Sequence, residues 1–175
     1  MRQLTFRPPA PLWPLFFAIS TLLAQDSPQS VRPGTKIFDR RVVISGLDNP
    51  WEVTWGPDNH LWITERTGKR ITRVSPSTGQ SKTAVTIEEV FAPGGQDGLL
   101  GLALHPELLK GTGNDYVYAV YTYTDSTLPP WKKVTDPASP YYRLYAKIVR
   151  LTYNPQTETL SQPLDLLTGL PAGND

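Results

Sequence analysis

Cysteine is absent from the 175 residues, and histidine is scarce, since His60 and His105 are the only two. Without cysteine there can be no disulfide framework, no CxxC redox pair and no thiolate zinc site. The two histidines lie far apart in the sequence, which excludes a metal-binding helix of the HExxH type. No GxSxG, P-loop or GxGxxG segment occurs either, so the usual signatures of acyl transfer and nucleotide binding are missing.

Net charge is also low. The chain carries 17 Lys+Arg against 16 Asp+Glu, a formal net charge of +1, and it has no basic cluster. This composition provides no electrostatic surface for nucleic acid. Proline, in contrast, is abundant with 18 residues, about twice the usual share of ~5%. Because proline interrupts helices, the composition argues against long helices and predicts frequent turns.

The N-terminal segment differs from the rest of the sequence. Arg2 and Arg7 precede an apolar run that ends at Ala24, after which the sequence turns abruptly polar. This pattern is typical of a secretory signal peptide, and its uninterrupted apolar part is shorter than the ~20 residues of a membrane span. We predict a signal peptide over residues 1–24 and a loose leader over 25–40. The mature protein is then periplasmic or secreted, without a membrane span; an uncleaved anchor is the alternative.

Short segments with alternating or β-branched residues follow the leader and predict strands. The first group comprises residues 41–45, 51–55, 61–65, 70–74 and 83–87. In the second of these segments, Trp51, Val53 and Trp55 share one face. Turn-forming residues separate the segments, so we expect an antiparallel meander of four or five strands.

The second half of the chain repeats this organisation. Strands are predicted over residues 99–104, 116–124, 144–153 and 159–167. The tyrosines of 116–124 are expected to pack in the core, with a sugar-stacking platform as the alternative. A proline-rich stretch over 125–141 is predicted to be a surface insertion. Successive four-stranded meanders predict an all-β fold made of β-propeller blades; a single β-sandwich would show the same strands and remains open.

One loop stands out as a candidate site. Gln96 and Asp97 lie among glycines directly before the apolar strand 99–104. Glycine allows a backbone to approach a ligand closely, and the Gln96 amide can both donate and accept hydrogen bonds. The alternative is a tight loop whose amide satisfies its own backbone.

Several other polar residues have simpler interpretations. His105, at a strand end before proline, is expected to pack in a turn, and His60 is expected to be solvated. Asp58 is predicted to form a turn hydrogen bond with the backbone. Glu65 and Arg66 suggest a surface ion pair, which would contribute little to stability.

Three ordered segments carry a family resemblance. They are WGPDNHLWITER at residues 55–66, GQDGLLGLALHP at 95–106 and LDLLTGLP at 164–171. With them, the region from Leu47 to Asp175, apart from the insertion, resembles the N-terminal part of the soluble pyrroloquinoline-quinone (PQQ) glucose dehydrogenases, within the glucose/sorbosone dehydrogenase family. The resemblance implies a six-bladed β-propeller with PQQ and calcium in its central pocket. Residues 41–175 would then be an incomplete propeller domain, the first two to three blades of four-stranded antiparallel sheets.

The resemblance also implies roles for two residues of this chain. Gln96 matches the family glutamine that binds the sugar near C1. Asp175 matches the aspartate that precedes the catalytic histidine and orients it and the substrate beside the reacting hydroxyl. The expected histidine would be the next residue and is absent from the chain. The cofactor-contacting arginines and lysine and the calcium ligands belong to later blades, so no cofactor or metal residue is assigned here.

The full-length parent is accordingly predicted to be a PQQ-dependent aldose dehydrogenase. It would oxidise a glucose-like sugar at C1 to the lactone by hydride transfer to PQQ, and a quinone-type or dye-like acceptor would receive the electrons. We expect this chain alone to be an N-terminal fragment that is inactive and not well folded. A non-redox propeller, either lactonase-like or sugar-binding, is the alternative, because fold does not fix function; a genuine short product without catalysis is another. The resemblance also allows a homodimer of the full-length protein.

Overall fold

The computed structural model of this protein describes residues 40–172, which lie in one compact unit. Within this range there are nine strands and no helix. The strands are β1 (Pro50–Trp55), β2 (Leu61–Glu65), β3 (Arg70–Val74), β4 (Ser81–Thr86), β5 (Leu99–Leu104), β6 (Tyr116–Thr124), β7 (Leu144–Asn154), β8 (Thr159–Leu160) and β9 (Leu164–Pro171). The predicted signal peptide and almost all of the predicted leader fall outside the described residues.

The strands form two antiparallel sheets. The first sheet has the order β1-β2-β3-β4, and the second has the order β5-β6-β7 with both β8 and β9 on the outer edge of β7. Strand β9 pairs with the first part of β7, where Tyr145 lies opposite Pro171. Strand β8 pairs with its last part, where Tyr153 lies opposite Leu160. The predicted all-β fold and its antiparallel meanders are confirmed.

The core lies between the two sheets. Trp62 of β2 is completely buried, and its ring meets that of Tyr153 edge to face, with the centroids 5.1 Å apart. The Arg73 guanidinium lies over both rings, 5.1 Å and 5.2 Å from their centroids. Aromatic and cation–π contacts therefore join the sheets, with an arginine at the centre of the contact.

The two sheets are linked to each other at both of their ends. At the first, here called the Gln96 end, the Leu99 amide donates to the Arg66 carbonyl at 3.0 Å, linking the start of β5 to the end of β2. At the second, here called the histidine end, Arg73 Nη1 donates to Glu158 Oε1 at 3.0 Å. His60 and His105 both lie at the histidine end, in the turn after β1 and directly after β5.

The strand predicted over residues 41–45 is wrong. Residues 40–49 have no regular structure, and Val42 remains 79% exposed. The β-branched residues there have the right local preference, but no strand lies beside them to complete a ladder. Arg41 instead donates a side-chain hydrogen bond to the carbonyl of Pro76.

The face of β1 that carries its large apolar residues is exposed. Trp51, Val53 and Trp55, which the alternation predicts on one face, are 48%, 55% and 58% exposed, and the pairing of β1 with β2 is irregular between Pro50 and Val53. The other face of the sheet meets the second sheet, since Thr64 of β2 donates its hydroxyl to the Leu100 carbonyl of β5 at 2.7 Å. The first sheet therefore packs on the second through the face that carries the smaller and more polar residues of β1.

The surface ion pair suggested for Glu65 and Arg66 is also wrong. Glu65 is buried, and Arg70 binds both of its carboxylate oxygens at 2.8 Å and 2.7 Å. Thr72 donates to the same carboxylate, as does the amide of Asp48. Burial raises the pKa of Glu65, but these hydrogen bonds and the Arg70 charge outweigh it and hold that pKa below its usual value.

Candidate functional site

The Gln96 loop (residues 94–98) joins the two sheets and is fixed by backbone hydrogen bonds. The Asp97 amide donates to the Gly94 carbonyl at 3.2 Å, which closes a turn. The Gly98 amide donates to Thr122 Oγ1 at 2.7 Å, and the Thr122 amide donates back to the Gly98 carbonyl at 3.0 Å. The loop is thus held against the centre of the second sheet rather than left free at the surface.

Gly98 and Arg66 form the second attachment of this loop. Gly98 has a φ of +134°, and a Cβ at this position would lie 2.4 Å from the Arg66 carbonyl oxygen. Only glycine allows so close an approach. Arg66 Nη1 donates to the Asp97 carbonyl at 2.8 Å, and the guanidinium lies 5.9 Å from the centroid of the Trp51 ring. Arg66 therefore clamps the loop, a role that the sequence pattern did not indicate.

Gln96 is exposed on this fixed loop. Its amide makes no side-chain hydrogen bond with any residue of the range 40–172. The loop backbone is satisfied by Gly94, Thr122 and Arg66 instead, so the alternative in which the amide closes its own loop does not describe the structure. The side chain is consequently available to donate to, and accept from, a bound molecule.

Asp97, the neighbour of Gln96, has a buried side chain. It is 7% exposed, and its Oδ2 atom is buried without a partner in the described part of the chain. Burial raises the pKa of the Asp97 carboxyl, although the positive charge of Arg66 opposes the change. An unpaired buried carboxylate oxygen is costly, so Asp97 destabilises the packing of this loop.

A buried lysine connects the segments that lead toward this end. Lys147 of β7 is 4% exposed and binds Glu89 Oε1 at 2.7 Å and Asp165 Oδ2 at 3.1 Å. Glu89 precedes the Gln96 loop, and Asp165 belongs to β9. The ammonium also lies 4.2 Å from the centroid of the Tyr123 ring. Lys147 therefore ties both segments to the second sheet, which sequence reasoning missed because its two partners are distant in the chain.

Neither histidine approaches this site. His60 Nδ1 lies 2.8 Å from the Asp58 carbonyl oxygen, within its own turn. His105 accepts a hydrogen bond from the Glu107 amide at 3.1 Å and packs near the rings of Tyr116 and Tyr118. The packing role predicted for His105 is confirmed, and both imidazoles belong to the histidine end.

Asp58 makes other contacts besides the predicted turn hydrogen bond. Its Oδ1 accepts a long hydrogen bond from the His60 amide at 3.4 Å, as expected for a turn, and a second from Trp62 Nε1 at 3.1 Å. Its Oδ2 binds the Arg73 guanidinium. Asp58 therefore joins the turn to the buried arginine between the sheets and has a structural role.

Asp175 lies outside the described residues, but the strand that precedes it is well placed. Strand β9 ends at Pro171, opposite Tyr145 and at the Gln96 end of the second sheet. The four residues that follow Pro171 up to Asp175 span at most ~14 Å. The end of β9, which precedes Asp175 in the chain, thus lies at the same end of the molecule as Gln96.

The charged residues at the Gln96 end bear on where PQQ and calcium could be held. No group of three or more His, Asp or Glu side chains that could hold a metal ion occurs in the range 40–172. A PQQ tricarboxylate needs cations, but Arg66 and Lys147 at the Gln96 end already bind the Asp97 carbonyl and two carboxylates. What these residues can do chemically is bind an uncharged polar ligand through Gln96.

Sequence comparison identifies a family and a relative. A sequence model of the family described as Glucose / Sorbosone dehydrogenase matches residues 47–156. Quinoprotein glucose dehydrogenase B of Acinetobacter calcoaceticus is 38% identical over 148 residues, which cover 84% of this chain and 28% of that protein.

Solved structures agree with this result. The PQQ-bound form of aldose sugar dehydrogenase from Streptomyces coelicolor superposes with a TM-score of 0.57 at 30% identity, over 76% of this chain and 34% of that one. The apo form of the soluble aldose sugar dehydrogenase from Escherichia coli gives a TM-score of 0.54 at 20% identity, over 73% of this chain and 33% of that one, and supports the fold. The two sheets are blades of a partial β-propeller.

Proposed function

Because this chain belongs to the glucose/sorbosone dehydrogenase family, we propose that it is the N-terminal part of a PQQ-dependent aldose dehydrogenase. The complete enzyme would oxidise a glucose-like sugar at C1 to the lactone. PQQ, with calcium as a second cofactor, would supply the capacity to accept the hydride. The chain spans 28% of its curated relative and about a third of the solved structures described above. The activity is accordingly proposed for a longer protein that contains it.

The observation that carries this proposal is the exposed, unpaired amide of Gln96 on a fixed loop. A sugar hydroxyl both donates and accepts, and a carboxamide matches it with an N–H donor and a carbonyl acceptor. The hydrogen bonds from Thr122 and Arg66 hold the loop in place before a ligand arrives, which lowers the entropy cost of binding. Gln96 is therefore proposed to bind the sugar near C1, together with Asp175 from the segment after β9.

We further propose that this chain does not oxidise sugars by itself. Taking the proton from a C1 hydroxyl needs a base within about 2.6–3.2 Å of it. The only two histidines of the chain, His60 and His105, lie at the histidine end, away from Gln96. The histidine base is therefore proposed to belong to another part of the complete enzyme, as are the cations that hold PQQ.

Export to the periplasm or outside the cell is proposed from residues 1–24, whose pattern is that of a signal peptide. Among residues 40–172 no helix is long and apolar enough to cross a membrane. Cleavage at the predicted site is read directly by N-terminal sequencing of the exported protein.

The test uses the complete protein encoded at the locus, purified and supplied with PQQ and calcium. We expect PQQ-dependent dye reduction with glucose, and we expect Gln96→Ala to lower kcat/KM for glucose by roughly 10- to 100-fold, since a lost hydrogen bond that leaves its partner unsatisfied costs about 1–3 kcal/mol. Gln80→Ala is the matched control, because Gln80 is exposed at the histidine end. Equal kcat/KM in the two variants would remove Gln96 from the site, and absence of PQQ-dependent reduction would refute the function.

A further inference from the structure

The proline-rich insertion between β6 and β7 (residues 125–143) forms an open cavity of about 490 Å³ against the Gln96 end of the second sheet. This cavity, here called the insertion pocket, is lined mainly by Leu128, Pro129, Pro130, Trp131, Tyr145 and Pro171. Its volume is in the range of small-molecule sites, about 300–1,000 Å³.

The walls of the insertion pocket are fixed to the sheet. The Tyr145 hydroxyl donates to the Pro129 carbonyl, and the Trp131 amide donates to the Tyr142 carbonyl at 2.8 Å. Leu128 packs toward β9, because a Cβ on Gly169 would lie 3.6 Å from Leu128 Cδ1. The pocket is therefore a built feature of the second sheet and not a gap between loose loops.

The insertion pocket lies beside the candidate sugar site. Pro171 forms one wall and precedes Asp175 by four residues, at most ~14 Å of chain. At the other side, the end of the insertion reaches the Gln96 loop, since a Cβ on Gly94 would lie 3.1 Å from the Tyr141 hydroxyl. The insertion pocket thus lies at the end of the second sheet that carries the Gln96 loop.

The lining decides which kind of molecule fits. Proline has no N–H to donate, and the Tyr145 hydroxyl is already used by Pro129. The lining offers few polar groups, chiefly Trp131 Nε1 and the ammonium groups of Lys132 and Lys133. A sugar ring placed here would therefore lose the hydration of most of its hydroxyls without replacement. A planar, largely apolar ring would instead gain contacts with Trp131, Tyr145 and the prolines. Lys132 also lines the pocket and can interact with a carbonyl oxygen of such a ring.

We propose that the insertion pocket binds the electron acceptor, a small quinone. This rests on the proposed function, because only an oxidoreductase needs an acceptor. The overall reaction balances with no other reactant: the aldose loses two electrons and two protons as it becomes the lactone, and the quinone gains two electrons and two protons as it becomes the hydroquinone.

Direct binding to the complete protein, without PQQ or sugar, tests the proposal without turnover. The probe is duroquinone, a fully methylated benzoquinone that has no free ring position for addition of a lysine amine. We expect saturable binding by isothermal titration calorimetry, weakened at least tenfold by Trp131→Ala and unchanged by Trp55→Ala, a matched loss of an exposed tryptophan on the other sheet. Circular dichroism of each variant checks folding, and Trp131→Phe, which keeps an aromatic wall, should retain most of the binding.

Other outcomes overturn the proposal. Absence of saturable binding would do so, as would equal weakening by Trp131→Ala and Trp55→Ala. Saturable binding of cellobiose that Trp131→Ala abolishes would make the pocket a sugar subsite instead. Since none of these measurements needs PQQ or Gln96, their failure leaves the proposed dehydrogenase function intact and is distinct from failure of the Gln96 test.

Discussion

The two ends of the sheets differ in how completely their polar side chains are hydrogen-bonded. At the histidine end, Arg73 binds Asp58 and Glu158, and Lys82 binds Glu158 in turn at 3.2 Å. At the Gln96 end, the Gln96 amide is exposed without a partner, and Asp97 Oδ2 is buried without one in the range 40–172. The charged groups of the histidine end are paired with each other, whereas Gln96 and Asp97 in the loop at the other end have side-chain atoms without a partner among residues 40–172.

This difference in hydrogen bonding distinguishes structural residues from candidate ligand-binding residues more clearly than residue type does. Histidine and arginine are frequent catalytic residues, yet at the histidine end Arg73 joins the sheets and both histidines have local contacts. Glutamine is chemically mild, yet the Gln96 end holds it on a fixed backbone with its amide free. A polar group left unsatisfied at a rigid position is a better sign of a ligand site than a reactive side chain that already has its partners.

Arg73→Ala gives the largest expected effect and tests the histidine end. Arg73 is 4% exposed and lies over the Trp62 and Tyr153 rings. Its removal leaves Asp58 without its cation in the contact between the sheets, so we expect the free energy of unfolding in urea to fall by about 3–5 kcal/mol. Lys82→Ala, in which a 46% exposed partner of Glu158 is lost, should cost less than about 1 kcal/mol. Equal costs would show that the network is only a surface feature.

Gly98→Ala is expected to have the next largest effect and tests the rigidity of the Gln96 end. The new Cβ would lie 2.4 Å from the Arg66 carbonyl oxygen, at a φ of +134°. Backbone strain and the displacement of Arg66 together should cost about 3 kcal/mol. Gly113→Ala is the matched control, with φ +80° and no atom within 4 Å, and should cost only about 1 kcal/mol. If thermal denaturation shows the same loss for both, the loop is not clamped.

Asp97→Asn has the smallest expected effect, which is an increase in the free energy of unfolding. Because burial raises the pKa of Asp97 in the folded protein, the folded state keeps this proton to a higher pH than the unfolded state does. Stability therefore falls as the pH rises from the usual carboxyl pKa to the raised one, and it stays lower above that range. The substitution should remove this fall and increase the free energy of unfolding at pH 7 by about 1 kcal/mol.

Asp125→Asn provides the contrast for this measurement. Hydrogen bonds from Thr127 lower the pKa of Asp125, so its charge supports the fold at neutral pH and that support is lost as the pH falls. Urea titrations from pH 3 to 8 should therefore show opposite signs for the two variants. A loss of stability in Asp97→Asn at pH 7 would mean that the Asp97 carboxylate is satisfied after all.

Local pattern was enough to predict most strands and the position of the candidate loop. Hairpins such as β1-β2 join neighbouring segments through a short turn, so alternation and turn residues contain the information needed. The same reasoning failed at residues 41–45, because a strand also needs a partner and none lies beside this segment. It also misplaced Glu65, whose partner Arg70 is five residues away across a turn and not next in sequence.

The finer features of the site depend on distant contacts. Gln96 and Asp97 are equally polar neighbours, and the fact that one is exposed and the other buried follows from the attachment of their loop to Arg66 and Thr122. The sequence did not indicate a role for Lys147, because its partners Glu89 and Asp165 lie 58 and 18 residues away in the chain. The insertion pocket depends on Trp131 and Pro171, which only the fold of the second sheet brings together.

The insertion has a consequence for how this protein can change over evolution. It bridges β6 and β7, which pair over nine consecutive positions from Tyr116 to Thr124, and so the ladder rather than the connection fixes the register. Each doubling in length of a flexible connection adds only about 0.6 kcal/mol of closure entropy. Residues can therefore be gained, lost or exchanged in the insertion at little thermodynamic cost, and the preference for a partner molecule can drift there while the blades stay unchanged.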